Sequence, residues 1–327
     1  MVLLDNKSAN SSHFTVTMAS PSTSAANPSS AMEEHPNWLE MPHELMANIL
    51  QRLGTIEILE SAWEVCTTWR KICKNPEMWK NIVLIHNAFD DWRQMFHLER
   101  LTKRAVDLSC GEVIAIDIKG FGTDELLDHI LLSSRKLKHL YLMDCYDITG
   151  SQLIRAVKSM PQLEELGISY ISIDKEDIKV IGQNCPHLKT FMVLAGLVGA
   201  FMMNSDDNAF AIANNMPELT CLKLFDRSMT NIGLKAILEG CPHLESLDIR
   251  MCYDLDLDEN LKKVCMERIK DFEFHLEIED DDYDDDDDDS PFSYDYGCID
   301  PSDDQEDSDY EYWHAKDPYD DCRFVYM

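Results

Sequence analysis

The sequence predicts an α/β solenoid: a short stack of strand–helix units, preceded by three short helices and flanked by tails that do not fold. Three observations predict it. An apolar pattern of the form L-x-x-L-x-L recurs six times at intervals near 25 residues. Bulky apolar residues at helical spacing crowd residues 37–82. The acidic excess of a chain with net charge −32 gathers at its C-terminal end.

Residues 1–35 are rich in Ser, Ala, Thr and Asn, with Pro21 and Pro28. Such a segment buries too little apolar surface to offset its ordering entropy, and disorder is expected. The next unit, 37–82, opens with Trp38, Leu39, Met41 and Pro42, the proline suited to a first helical turn. Leu45, Ile49, Leu50 and Leu53 follow at helical spacing, and Gly54 ends that helix. A second helix carries Ile58, Leu59 and Ala62; a third carries Val65, Trp69 and Ile72 and closes near Pro76 and Trp79. Three helices this short cannot hide so many apolar side chains among themselves. A partner or the following domain must cover the remainder. Residues 83–112, with Trp92, Phe96, Leu98, Leu101 and Val106, predict a connecting helix that packs onto the next domain.

The repeats occupy 113–270. Their copies are Val113/Ile116/Ile118, Leu137/Leu140/Leu142, Leu163/Leu166/Ile168, Leu188/Phe191/Val193, Leu219/Leu222/Leu224 and Leu244/Leu247/Ile249. They start 24, 26, 25, 31 and 25 residues apart, and all but one step falls in the leucine-rich-repeat range of about 20 to 29 residues. The long step contains GLVGAFMMNSDD, an expected loop insertion. Helices are expected between the strands, at 123–132, 150–159, 174–183, 208–215 and 231–239. Cys-Pro-His-Leu recurs at 185–188 and 241–244, and Met-Pro-x-Leu at 160–163 and 216–219. Each unit exposes apolar faces that only a neighbour can cover, so the predicted fold is a short leucine-rich-repeat horseshoe. From Glu277 onward 22 Asp/Glu face 2 Lys/Arg, leaving a net of −12 on residues 1–276. Like charges repel along that tail, 277–327, and should keep it extended. It reads as a solubility tail or, alternatively, as a polyanion mimic.

Residues 38–82, WLEMPHELMANILQRLGTIEILESAWEVCTTWRKICKNPEMWKNI, resemble an F-box. Pro42, Glu44-Leu45, Ile49-Leu50, Leu53, Val65-Cys66, Trp69-Arg70 and Trp79 match that family in order and spacing. Met41 replaces the usual leucine before the proline, a volume-conserving exchange. Together with the repeats, the chain is similar to the plant F-box/leucine-rich-repeat family over roughly residues 37–265. The resemblance implies a non-catalytic substrate-recognition subunit of an SCF-type ubiquitin ligase. Its F-box would dock a Skp-type adaptor, and through it cullin, using Pro42, Leu45, Ile49, Leu50 and Leu53 on the first helix. Val65, Trp69 and Trp79 would pack the motif and complete the docking face. Cys145 and Cys252, three positions past their strands, would support turns; Cys66 and Cys73 read as core.

Alternation along the strands predicts a concave lining of Asp117, Lys119, His139, Tyr141, Met143, Glu165, Met192, Lys223, Phe225, Asp248 and Arg250. A protein substrate would contact Tyr141, Met143, Lys223, Phe225 and Arg250, with Tyr141, Phe225 and Arg250 as anchors. Alternatively, the chain is a stand-alone interaction scaffold whose helical unit only caps the solenoid.

Composition narrows the remaining classes. An acidic fold disfavours nucleic acid and anionic membrane surfaces. No stretch of 18 apolar residues exists, and the N-terminus lacks a signal peptide's basic and apolar regions. Eleven cysteines without C-x-x-C pairs read as free thiols of a reducing compartment, so nucleus and/or cytoplasm is expected. No phosphate loop, H-E-x-x-H, G-x-S-x-G or EF-hand spacing occurs. Six copies make a shallow arc without a basic cluster, so no metal and no cofactor are expected.

Overall fold

The computed structural model describes residues 41–86, 93–194, 206–226, 228–250, 252 and 255–274, all within the compact unit Met1–Leu276. The expected tails at 1–35 and 277–327 lie outside the described residues, as does most of the insertion after residue 195.

The N-terminal helices follow the predicted order. Helix α1 (His43–Leu50) begins after Pro42, whose carbonyl accepts the Met46 N–H at 3.1 Å. A continuous helical run over 55–65 joins α2 (Thr55–Glu57), a π turn (Ile58–Ala62) and α3 (Trp63–Val65). Val65 therefore ends the second helix rather than opening the third. The third, α4 (Thr67–Cys73), is capped by Cys66, whose sulfur accepts the Trp69 N–H at 3.4 Å. Cys66 is half-buried and caps a helix, while Cys73 is core. A 3-10 turn, Pro76–Trp79, leads directly into the sheet.

Eight parallel strands form that sheet in sequence order: β1 (Asn81–Ile85), β2 (Ala115–Lys119), β3 (His139–Met143), β4 (Glu165–Ser169), β5 (Thr190–Leu194), β6 (Cys221–Leu224), β7 (Ser246–Ile249) and β8 (Asp271–Phe274). Between them run α5 (Arg93–Leu108), α6 (Asp124–Ser133), α7 (Gly150–Val157), α8 (Lys175–Asn184), α9 (Asp207–Asn215), α10 (Asn231–Gly240) and α11 (Glu259–Arg268). Each strand pairs only with its neighbours in sequence, which is solenoid architecture. The register aligns Ile116, Leu140, Leu166, Phe191, Leu222 and Leu247 in one fully buried row beneath the helices.

Caps tie one repeat to the next. Thr123, Thr149, Thr230 and Asp258 each accept an N–H of the helix they precede, and Asp174 forms a capping box with Asp177. The Asp124 carboxylate accepts both the N–H and the hydroxyl of Thr149 at 2.8 and 2.9 Å. Asp206 does the same for Thr230, at 2.7 Å to each. The thiols of Cys145 and Cys252 donate to the carbonyls of Phe121 and Leu224, at 2.8 and 3.3 Å.

Two strands lie beyond the six copies expected. β1 occupies the start of the segment read as a connecting helix; that helix is confined to Arg93–Leu108. β8 extends the sheet past residue 270. The signal was present in the same spacing: Trp79/Ile82/Leu84 and Ile269/Phe272/Phe274 are L-x-x-L-x-L copies with other apolar residues in the leucine positions. Trp79 and Ile269 are buried like the leading residue of every other copy.

Candidate functional site

Two surfaces stand out. The first is the outer side of the N-terminal helices. Helix α1 has two apolar sides. Met46 and Leu50 turn inward and join Ile58, Leu59, Ala62, Ile72, Met78 and Trp79 in a common core. Leu45, Ile49 and Leu53 turn outward and remain 55%, 38% and 38% exposed; Val65 is 58% exposed. Pro42 is exposed too, and Trp69 is half-buried against the core. The inner side is anchored to the sheet: Thr55 Oγ1 accepts the Val83 N–H at 3.1 Å. Trp63 is covered by cations, with the Arg104 guanidinium 4.4 Å and the Lys74 ammonium 5.8 Å from its ring centre.

The second surface is the sheet face away from the helices. Its central row runs Asp117, Tyr141, Gly167, Met192, Lys223, Asp248 and Glu273. Tyr141 lies across Gly167, where a β-carbon would sit 2.3 Å from its Cδ1. Its hydroxyl donates to Glu165 at 2.7 Å. Arg250 bridges β7 and β8, with Nη2 at 2.8 Å from Asp248 and 2.7 Å from Glu273.

The comparisons with known proteins agree with both halves. Residues 38–81 match the F-box domain. The chain is 45% identical to putative F-box/LRR-repeat protein 23 of Arabidopsis thaliana over 236 residues, 72% of this chain and 52% of that protein. It thus spans about half the length of that relative. It is 42% identical to F-box protein SKIP19 of the same plant, covering 76% of this chain and 80% of the relative. Against putative F-box/LRR-repeat protein 9 the identity is 38%, over 75% of this chain and 100% of the relative.

The chain belongs to the F-box/LRR-repeat family.

Within the F-box, the structure divides the residues expected to dock an adaptor. Pro42, Leu45, Ile49, Leu53 and Val65 are each exposed to solvent, while Leu50 and Trp79 are 0% and 1% exposed. Leu50 is therefore a core residue and not part of a docking surface. Trp79 packs the motif, as expected, but takes no part in an outer face; its Nε1 donates to the Cys73 carbonyl at 2.8 Å.

On the LRR sheet, two of the five expected substrate contacts are also corrected. Tyr141 and Met143 are 5% and 7% exposed and cannot present their side chains to a partner. Alternation places both on the outer face, but the absent side chain at Gly167 lets the Tyr141 ring lie down on the strand. Lys223, Phe225 and Arg250 are half-buried, the last with its guanidinium already committed to two carboxylates.

Sheet-face electrostatics are local. Burial raises the Glu165 carboxyl, but hydrogen bonds from His139 and Tyr141 outweigh it and hold the group below the usual carboxylate range. Glu164 sits between Lys138 at 2.6 Å and Lys189 at 2.9 Å, which hold it at about 2. Burial pushes the Cys185 and Cys252 thiols up to about 12, far from a thiolate nucleophile. Among the described residues no three His, Cys, Asp or Glu side chains are placed to hold a metal ion.

Asp117 is the exception that predicts a measurable effect. Burial pushes its carboxyl up to about 6, against a smaller opposing pull from Lys119. A carboxyl raised above its unfolded value of about 3.9 favours the fold when protonated. That contribution is present below pH ~4 and is lost as pH rises through ~6. Asp117→Asn should therefore be more stable than the wild type at pH 8 by about 1–2 kcal/mol, and nearly equal to it at pH 4. Urea denaturation at the two pH values checks this; a variant no more stable at pH 8 than at pH 4, relative to wild type, contradicts it.

Proposed function

We propose that this chain is the substrate-recognising subunit of an SCF-type ubiquitin ligase, with the F-box docking a Skp-type adaptor and the LRR sheet holding a protein target. It does no covalent chemistry itself. Its contribution is to raise the effective concentration of the target beside the ubiquitin-transferring machinery.

The observation that carries this reading is the apolar surface left on the F-box. Its inner apolar residues are satisfied by the sheet and by one another, yet Leu45, Ile49, Leu53 and Val65 stay at least 38% exposed. Several exposed apolar side chains on so small a helical unit, with Leu45 and Ile49 one turn apart on α1, mark an interaction surface. A unit serving only to cap the solenoid needs a polar outer face instead. The scaffold alternative is thereby disfavoured.

Co-precipitation with a recombinant Skp-type adaptor tests the proposal. The full chain is expected to bind, and the double variant Leu45→Asp/Ile49→Asp to lose at least tenfold in affinity, on the order of 1.4 kcal/mol or more. Both positions are exposed, so the melting temperature should hardly move. Undiminished capture by the double variant overturns docking through α1; no capture by wild type overturns the ligase reading itself.

A further inference from the structure

The two ends of the sheet are finished differently. At the first end the F-box closes it: the Thr55 hydroxyl accepts the Val83 N–H of β1 at 3.1 Å, and Ile82 and Leu84 are buried. At the last end β8 pairs with β7 along one edge, Leu247 opposite Phe272 and Ile249 opposite Phe274. Among the described residues no strand pairs with its other edge. Phe272 and Phe274 continue two rows whose members from β1 to β7 are all buried, yet both are only half-buried. A terminal unit that meets only water carries a polar outer face instead.

The edge is held in place from behind. The Asp271 N–H turns inward to the Glu245 carbonyl at 3.1 Å. Backbone amides alternate in direction along a strand, so those of Phe272 and Phe274 point away from β7. The two rings stack, with centroids 4.9 Å apart and planes 19° from parallel, and the Lys262 ammonium of α11 lies 5.2 Å from the centre of the Phe274 ring. The outer edge thus offers backbone donors, backbone acceptors and apolar surface together, which is the template for an added strand.

Register selects the occupant. Side-chain alternation puts Phe272 and Phe274 on the helix side of the sheet and Asp271 and Glu273 on the other. An added strand therefore meets apolar side chains on one face and carboxylates on the other. Asp271 is exposed, and Glu273 holds Arg250 at 2.7 Å. The nearby cations are engaged, Lys270 with Glu245 at 2.8 Å and Lys262 over Phe274. Opposite charges across a ladder stabilise it and like charges destabilise it, so the strand that fits alternates apolar and basic residues. A second copy of β8 in matching register would set carboxylates against carboxylates. Residues 277–289, with 11 Asp/Glu and no Lys/Arg, add attraction for basic segments at longer range.

We infer that the outer edge of β8 takes an extended basic segment of a partner protein as a ninth strand, with apolar residues beside Phe272 and Phe274 and lysine or arginine opposite Asp271 and Glu273. This edge lies at the other end of the strand order from the F-box, so it can be filled whether or not the F-box docks an adaptor.

Fluorescence anisotropy on the full chain, at about 150 mM salt, tests it. The probe is a labelled peptide of alternating valine and lysine, about seven residues long to match a strand. Its twin is N-methylated along the backbone, which keeps side chains and charge but removes the donors a ladder needs. Wild type should bind the probe more tightly than the twin by roughly fivefold or more. Asp271→Lys/Glu273→Lys should bind the probe more weakly than wild type by roughly fivefold or more. The acidic residues beyond 276 are common to both proteins and attract both peptides alike, so their pull cancels. No binding of the probe, equal binding of probe and twin, or equal binding by the two proteins overturns the proposal. So does a wild-type chain that sediments as a dimer and dissociates when the probe is added, since a second copy then fills the edge. The comparison of probe with twin uses wild type alone and decides the matter even where the variant is unstable.

Discussion

Trp79→Ala is expected to lower the stability of the chain by about 4 kcal/mol, the largest single-residue effect in the F-box. Trp79 heads the fully buried large side chains, at 1% exposure. Removing a buried indole loses its transfer free energy and leaves a cavity that the surroundings fill only in part, together about 3–5 kcal/mol. The loss also strands the Cys73 carbonyl, which accepts the indole N–H at 2.8 Å and would then be buried without that partner. The damage does not stop at the F-box. Trp79 is the leading residue of the first sheet copy, and Ile82 and Leu84 just beyond it enter the sheet core at 0% and 1% exposure. Trp79→Phe keeps most of the volume but not the donor, and should cost roughly 1–2 kcal/mol. Urea denaturation of the full chain measures both. An alanine variant within about 1 kcal/mol of wild type would mean that the F-box and the sheet are not one packed body at this point. Adaptor binding should fall along with the fold in this variant, in contrast to Leu45→Asp/Ile49→Asp, where it falls with the fold intact.

The contrast between those positions shows what the sequence could and could not reveal. Helical spacing groups residues that share a face, and it identified α1 correctly. It does not say which of two apolar faces meets the core, and α1 has two, Met46/Leu50 and Leu45/Ile49. Only the neighbouring helices and β1 decide between them. Strand alternation was likewise sufficient for the register of β2 to β7, because each row of leucines must line up to be buried. It failed for Tyr141, since alternation gives the face and not whether a ring stands up or lies down; that depended on Gly167 one strand away. The strands β1 and β8 escaped because each lies at an end of the array, where the pattern runs into the F-box on one side and the acidic segment on the other. The contact between the Tyr146 and Tyr170 rings, centroids 4.9 Å apart, had no signal at all, because it is made by two turns, 24 positions apart, brought together by the repeat itself.

Nothing in the sequence separates glycines that end helices from glycines that let helices approach closely in the helical layer. Two of them have a harder task, and their replacement is the second large effect expected. Gly182 in α8 and Gly240 in α10 flank α9 on its two sides. A β-carbon at Gly182 would stand 2.4 Å from the Asn215 carbonyl oxygen, and one at Gly240 would stand 2.3 Å from that of Ala213. Two effects of opposite sign compete. Alanine is the better helix former, worth about 1 kcal/mol in a helix interior. The overlap is with backbone, which cannot rotate aside as a side-chain tip can, so α9 must move outward. Ala209 and Ile212, both 0% exposed, sit on the inner side of that helix and would lose their packing. Overpacking of this kind costs roughly 1–3 kcal/mol and more when backbone shifts are forced. The steric effect should win, leaving Gly182→Ala and Gly240→Ala each destabilised by about 2–3 kcal/mol. The double variant tests the mechanism as well as the sign. Both glycines bear on the same helix, so once one substitution has displaced α9 the second should cost less, and the pair should fall short of the sum by about 1 kcal/mol. Urea midpoints for the four proteins close the cycle. A higher midpoint in either single variant would show helix propensity prevailing and the close approach of the helices to be dispensable.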